Sequence, residues 1–148
     1  AYAAVSAEIR ELLVNRCRSF IFSTSLPPAV LAASLAAVEL VQSAEGDLLR
    51  ERLLANADFF RNALIESSFA LPDGSTQIIP LITGQSDVTM RFSEALLAEG
   101  IFAQGIRPPT VPVGLGRIRF TIMASHTLDD LQWAVERIKA VGTRLGVV

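Results

Sequence analysis

Two arginines that follow a proline-rich loop are the strongest candidates for binding an anion. Arg117 and Arg119 fall in a predicted strand over residues 117–123, where side chains two positions apart share a face. A planar guanidinium suits a carboxylate because it offers parallel N–H donors. Three prolines restrict the preceding loop, residues 107–116, and so help to hold a binding site in place. Two solvated arginines that protect an edge strand are the alternative.

A run of three hydroxyl residues, Ser23, Thr24 and Ser25, precedes Pro27 and Pro28. Hydroxyls and free N–H groups near the start of a helix can bind a phosphate. The second proline suits a first helical turn, where its missing N–H is not needed. Because the same hydroxyls also suit N-capping and turn formation, the pattern leaves phosphate binding and capping open.

Three other features lack a catalytic motif. His126 precedes a predicted helix with no acid or nucleophile at a motif spacing, which favours a structural role. Cys17 lies between two arginines that would lower its pKa if the thiol were exposed, but no base accompanies it. Gly114 and Gly116 lack the third glycine and the following helix of a dinucleotide-binding fingerprint.

The composition limits the class of protein. A chain of 148 residues can bury the core of about one domain, and 51% hydrophobic against 19% charged residues argues against disorder. The net charge of −2 gives no general attraction to nucleic acid. One cysteine excludes an internal disulfide framework, and one cysteine with one histidine cannot supply a Cys/His zinc site. We therefore expect a cytoplasmic location and no structural metal.

An uncharged run over residues 19–38 has about the length of a membrane span. Its two adjacent prolines would leave backbone carbonyls unpaired in lipid, so we expect a buried segment, with a membrane-associated protein as the alternative. The sequence starts without Met and lacks the basic start and apolar stretch of a signal peptide. It is therefore expected to begin within a longer protein.

Hydrophobic periodicity predicts helices first and then a β-α-β-loop-β-α order. The predicted helices cover residues 3–14, 28–42, 47–67 and 87–99 and a last helix from Thr127, and the predicted strands cover residues 77–83, 101–106 and 117–123. The helix over residues 28–42 is apolar on nearly all sides, so we expect something outside this chain to cover it. The fold class is therefore α/β, with an α+β domain over residues 45–148 and a helical piece of another unit over residues 1–44.

Individual residues refine these elements. Pro80 predicts an edge strand or a bulge, Gly100 a helix C-terminus, and Thr127 a capped N-terminus because an acidic residue follows three positions later. Further expectations are an extended segment over residues 20–22, a helix break at Gly46, a solvent-facing Arg61, a helix cap at Ser86 and an inward-facing Leu128.

Several of these segments resemble the C-terminal part of the α-oxoamine synthases. They are residues 21–28 (IFSTSLPP), 45–47 (EGD), 80–82 (PLI), 99–101 (EGI), 106–112 (IRPPTVP), 117–119 (RIR) and 124–127 (ASHT). The IRPPTVP run with the following RIR is the most specific part. The resemblance covers essentially the whole chain and keeps its order.

The resemblance implies an enzyme that uses pyridoxal 5′-phosphate (PLP) and has the fold-type I, aspartate aminotransferase-like fold. Residues 1–44 would then end the PLP-binding large domain, and residues 45–148 would form the small C-terminal domain of a homodimer whose site is shared between subunits. Such enzymes condense an amino acid with an acyl-CoA thioester and release CO₂, with the cofactor as electron sink.

Within the family, the IRPPTVP run favours L-alanine and a pimeloyl thioester, the substrates of a step in biotin synthesis. Two alternatives stay open. One is a relative that uses glycine, and the other is a non-catalytic assembly module that pairs with a separate chain carrying the catalytic lysine.

The resemblance also implies roles for five residues. Arg119 matches the arginine that holds the substrate or product carboxylate, and Arg107 and Thr110 lie in the loop that lines the substrate channel. Ser23 and Thr24 match hydroxyl residues that reach the cofactor phosphate of the neighbouring subunit.

Other functional groups of the family have no match here. The Schiff-base lysine, the histidine that stacks on the cofactor and the aspartate that pairs with its pyridine nitrogen belong to an upstream segment of the family pattern. The one lysine, Lys139, lies in the last predicted helix, and Phe22 stands where relatives often carry tyrosine. We therefore expect no catalytic residue in this chain and no activity from it alone.

Overall fold

Six helices and three strands make up residues 3–148, which the computed structural model describes. In chain order they are α1 (Ala7–Arg16), α2 (Arg18–Ile21), α3 (Pro28–Val41), α4 (Ala44–Glu66), β1 (Ile78–Gly84), α5 (Ser86–Ala98), β2 (Gln104–Ile106), β3 (Gly116–Thr121) and α6 (Leu128–Leu145). The chain divides into two units, one ending at Gln42 and the other running from Ser43 to Val148. The assignment of the first unit to a larger domain stays a prediction.

The first unit contains only helices. The predicted helix from Pro28 is confirmed as α3, with Pro28 in its first turn, and α1 to α3 contain no buried residue. The expected extended segment over residues 20–22 is wrong, because Arg18–Ile21 form α2. The carbonyl of Cys17 accepts hydrogen bonds from the N–H groups of Phe20 and Ile21, which an extended chain without a neighbouring strand would leave unpaired.

No single helix within residues 3–148 has both the length and the hydropathy to cross a bilayer. Only α3 and α4 together, counted across the break between them, satisfy these two criteria.

The second unit is built on an antiparallel sheet with strand order β1-β3-β2. Pro80 therefore lies on an edge strand, as predicted, and β1 also has an irregularity between Ile82 and Gly84. Helix α5 packs on all three strands, α4 packs on β1, and α6 packs on α4 and α5. These helices cover one face of the sheet, and the predicted α/β fold class is confirmed.

Apolar side chains fill the space between the sheet and the helices. Ile79 and Leu81 on β1 and Ile118 on β3 are fully buried. The rings of Phe120 and Phe60 pack edge to face, with 5.4 Å between their centroids. Burial on one face only gives β3 its alternation of charged and apolar residues, which is why period-two reasoning located that strand. The prediction of β1 came instead from its run of apolar residues.

Helix α4 differs from its prediction at two places. It starts at Ala44, and Gly46 lies inside its first turn because the Ser43 side chain accepts a hydrogen bond from the Gly46 N–H. Arg61 is buried, because it lies one helical turn after Ala57 on the inner face, and its Nη2 donates to the carbonyl of Thr76 at 3.1 Å.

Two of the predicted helix-end features are confirmed and two expectations for helix starts are wrong. Gly100 takes a left-handed φ of 87° just after α5, and Thr127 and Asp130 form the predicted capping box of α6. The predicted cap at Ser86 is wrong, since Gln85 is the N-cap of α5 and makes no side-chain cap bond. Leu128, expected inside, is 59% exposed because the first turn of α6 extends beyond the core.

We predict that Gly116→Ala destabilises the 148-residue chain by about 1–3 kcal/mol. A Cβ at position 116 would lie 2.4 Å from the Thr89 hydroxyl oxygen and 2.8 Å from the Gly84 carbonyl oxygen. Thermal unfolding followed by circular dichroism measures the effect. Gly74→Ala is the matched control, because its Cβ would meet the Arg61 guanidinium only at 3.6 Å or more. Equal midpoints for the two variants would contradict the prediction.

The α6 capping box predicts a pH dependence. The Thr127 hydroxyl donates to the Asp130 carboxylate at 2.6 Å, and this bond, followed by that from the Thr127 N–H, lowers the pKa of Asp130. A lowered folded-state pKa contributes stability above the unfolded-state value, near 4, and this contribution is lost as the pH falls through the folded-state value.

Asp130→Asn should therefore weaken the acid-side fall of stability below about pH 4, measured by urea unfolding at several pH values. Asp129→Asn removes a carboxylate from the same helical turn and is the matched control, and Asp130→Asn should weaken the acid-side fall more than this control does. An identical acid-side fall in wild type and Asp130→Asn would refute the prediction.

Candidate functional site

The face of the sheet that α4 to α6 leave uncovered carries the predicted arginine pair. Along β3, Ile118 and Phe120 point into the core, so Arg117, Arg119 and Thr121 point to the opposite face. Since β3 is the central strand, the alternative of two arginines protecting an edge strand is wrong. The two arginines therefore lie in the middle of the uncovered face of the sheet, not at its edge.

Arg119 lies between one residue of each neighbouring strand. Its strand partners are Pro80 on β1 and Gln104 on β2. Its Nη2 donates to the Gln104 side-chain oxygen at 3.4 Å, and the Arg119 side chain is otherwise exposed. In the part of the chain that the structure describes, no carboxylate forms an ion pair with it. Its charge is therefore available to an outside anion.

The loop after β2 forms a cavity of about 260 Å³ beside this face. Residues 104–110 line it, so Arg107 and Thr110 face one space, and the Thr110 N–H donates to the Arg107 carbonyl at 3.2 Å. The peptide bond between Pro108 and Pro109 is cis. Gln104 lines the same cavity and contacts Arg119. The structure thus brings the three predicted substrate-binding residues to one region.

Arg117 differs from Arg119 although both share a face. Arg117 is half-buried, and its Nε donates to the Leu115 carbonyl at 3.1 Å. Its guanidinium is thereby tied to the loop that precedes β3, so Arg119 is the better placed of the two to bind a ligand.

A close approach between α5 and the sheet fixes the start of β3. Gly116 is buried, and the space that its Cβ would need is filled by the hydroxyl of Thr89, which is fully buried. That hydroxyl contacts the Thr83 hydroxyl at 2.6 Å and donates to the Gln85 carbonyl at 2.8 Å. On β2, a Cβ at Gly105 would also meet Thr89, at 3.2 Å. A side chain at either glycine would therefore force α5 away from β2 and β3, the strands that carry Gln104 and Arg119.

Ser23 and Thr24 follow α2 in the first unit, and both are exposed. The Ser23 hydroxyl donates to the Phe20 carbonyl at 3.1 Å, which closes the turn after α2. Neither hydroxyl caps α3, whose N-cap is Pro27 and which has no side-chain cap bond. N-capping by these hydroxyls is therefore wrong, turn formation is confirmed for Ser23, and phosphate binding stays a prediction.

The remaining candidates have other roles. His126 Nδ1 accepts from the Met123 N–H at 3.3 Å, and the His126 carbonyl accepts from the buried Asn56 amide at 2.9 Å, so the histidine holds the loop before α6. A hydrogen bond with the Ser19 hydroxyl is the main cause that lowers the pKa of Cys17, rather than the flanking arginines. Lys139 lies exposed on α6, in the helical layer.

Among residues 3–148, His, Cys, Asp and Glu form no group of three that could hold a metal ion. A second cavity, of about 250 Å³, lies on the helical side of the sheet between aromatic side chains that include Phe60, Phe102 and Trp133. It contains none of the predicted site residues.

Gln104 is the residue near the site that sequence reasoning missed. It lies 15 positions from Arg119 in the chain, and only the pairing of β2 with β3 brings the two together. A glutamine in a short strand carries no local signal for such a role, because the register of antiparallel strands is a non-local property.

Comparison with known proteins matches nearly the whole chain to one protein family. A family model described as aminotransferase class I and II matches residues 1–138. The 8-amino-7-oxononanoate synthases of Pelobacter propionicus and Trichlorobacter lovleyi are 63% and 56% identical over all 148 residues. The chain spans 38% of the length of each of these curated relatives.

Solved structures agree on the fold. A structure of serine palmitoyltransferase (SPT) with its PLP internal aldimine superposes with a TM-score of 0.89 at 28% identity, over 96% of this chain and 36% of that chain. The 8-amino-7-oxononanoate synthase of Francisella tularensis gives a TM-score of 0.77 at 24% identity, over 95% of this chain and 41% of that chain. The fold-type I architecture expected from the sequence is therefore confirmed.

Proposed function

We propose that this chain, which belongs to the aminotransferase class I and II family, has a specific place in one of its enzymes. It would form the C-terminal part of a PLP-dependent 8-amino-7-oxononanoate synthase. The enzyme would condense L-alanine with a pimeloyl thioester, with loss of CO₂, in biotin synthesis. The observation that carries the proposal is the position of Arg119, unpaired with any described carboxylate, on an open sheet face beside the Arg107–Thr110 loop. Identities of 54–63% with six such synthases support the choice of reaction.

The described residues fit part of a PLP site. Hydroxyl groups are suitable donors to a phosphate, and Thr24 stands exposed in the turn that follows α2. Ser23 would donate to the phosphate in place of the Phe20 carbonyl, to which its hydroxyl donates in this structure. The cofactor, when bound, supplies an electron sink that stabilises the carbanion of the amino acid. Its covalent anchor would lie in a part of the protein outside this chain, because the one lysine here lies on the solvent side of α6. This chain's share is therefore binding and orientation.

Arg119 would bind the carboxylate of the amino-acid substrate. Its guanidinium offers parallel N–H donors to two carboxylate oxygens. The covered side of β3 is packed core, so the strand holds the arginine on a rigid support. Binding through two donors would fix the orientation of the substrate as well as its position.

Arg107 and Thr110 would line the path of the acyl chain. The cavity of about 260 Å³ that they share combines a cation, a hydroxyl and proline rings. Prolines limit the motion of the loop, so little ordering entropy is lost when a chain binds against it. A pimeloyl chain, apolar along its length and charged at its end, suits such a lining.

We further infer a cytoplasmic homodimer with a site shared between subunits. The exposed apolar residues of α3, such as Val30, Leu35 and Val38, support this arrangement, because an extensive apolar helix surface is normally covered by protein. Ser23 and Thr24 would then serve the cofactor of the neighbouring subunit.

The proposed reaction is tested by a condensation assay on the full-length protein that contains this chain. We expect pimeloyl-CoA with L-alanine to be the preferred pair, and glycine to react more slowly. Faster turnover with glycine and no preference for the pimeloyl chain would overturn the assignment.

Substitution of Arg119 tests the carboxylate-binding role. Arg119→Gln in the full-length enzyme should raise the KM for L-alanine roughly tenfold to a hundredfold, because a hydrogen-bonded charge pair contributes about 1.5–3 kcal/mol. Steady-state kinetics measures the change. Arg91→Gln is the control, since Arg91 pairs with Asp87 on the exposed face of α5 and surface pairs contribute little. The role is refuted if both variants keep the wild-type KM.

A further inference from the structure

We propose that Gln104 is a positioning residue for the substrate carboxylate, acting through Arg119. The inference rests on the proposed function and assigns a role to a residue that the family resemblance did not single out. It starts from the direct contact between the two side chains, 3.4 Å from Arg119 Nη2 to Gln104 Oε1.

The pairing of β2 with β3 places these two side chains next to each other. Gln104 and Arg119 are register partners in the antiparallel pair of β2 and β3, and the side chains of such partners stand on the same face about 5 Å apart at Cβ. The other strand partner of Arg119 is Pro80, whose side chain has no hydrogen-bond acceptor. Gln104 is therefore the cross-strand neighbour that can orient the guanidinium.

The chemistry of an amide suits this role better than that of a carboxylate. The oxygen of Gln104 accepts one of the five N–H bonds of the arginine and adds no charge. A glutamate would form an ion pair with Arg119 and compete with the substrate carboxylate for it. The structure thus gives the guanidinium a neutral hydrogen-bond partner and leaves its positive charge unpaired, since no described carboxylate pairs with Arg119.

The position of Gln104 also connects the two parts of the site. It belongs to the lining of the cavity that contains Arg107 and Thr110. A substitution at Gln104 therefore changes the lining of that cavity as well as the surroundings of Arg119.

The test uses the full-length PLP-loaded enzyme and two ligands, L-alanine and L-alaninol, which share the amine but differ in the carboxylate. Binding is followed by the change in absorbance of the cofactor. Gln104→Glu keeps the side-chain length and should weaken L-alanine binding about tenfold, since its charge occupies Arg119. Gln104→Leu should weaken it about threefold, through loss of one hydrogen bond. Neither variant should change the binding of L-alaninol by more than about twofold.

Gln132→Glu and Gln132→Leu, at an exposed position of α6, are matched controls and should bind both ligands as the wild type does. Equal weakening of L-alanine and L-alaninol by the Gln104 variants would show a structural role and overturn the inference. Unchanged L-alanine binding in Gln104→Glu would also overturn it.

The outcomes separate this inference from the proposed function. An unmodified enzyme that fails to bind L-alanine contradicts both. If Arg119→Gln loses L-alanine affinity while the Gln104 variants keep it, only the positioning role of Gln104 is refuted.

Discussion

The pleat of a sheet covered on one face determines what this chain can do. Along β3, Ile118 and Phe120 complete the core, and the same alternation directs Arg119 to the opposite surface. A shift of one residue would bury a guanidinium and expose the core side chains, which no packing in this unit could offset. At Gly116 the absence of a side chain lets α5 approach the start of this strand closely. Core formation and ligand binding therefore depend on the same strand register.

The lack of a described carboxylate partner distinguishes Arg119 from the arginines that form ion pairs. The other exposed arginines with described ion pairs lie on helices, as Arg91 does with Asp87 and Arg137 does with Glu99. Arg119 instead meets a neutral amide. A guanidinium that is oriented but not neutralised keeps its attraction for an anion, and the cost of holding it exposed is small because water solvates it.

Local patterns predicted a large part of the fold, and non-local contacts explain the failures. Period two located β3, and the Thr127 capping box and the left-handed Gly100 followed from neighbouring residues alone. Burial of Arg61 depends on the Thr76 carbonyl, 15 positions away, and the role of Gln104 depends on strand pairing. The site residues themselves came from family resemblance, since spacing alone left the arginine pair ambiguous.

The most direct test of this account is a crystal structure of the full-length protein with PLP and L-alanine bound. We expect a carboxylate oxygen of L-alanine within about 3 Å of the Arg119 guanidinium, with the Gln104 amide against the other side of that guanidinium. An L-alanine carboxylate bound elsewhere, with Arg119 in contact only with water, would contradict it.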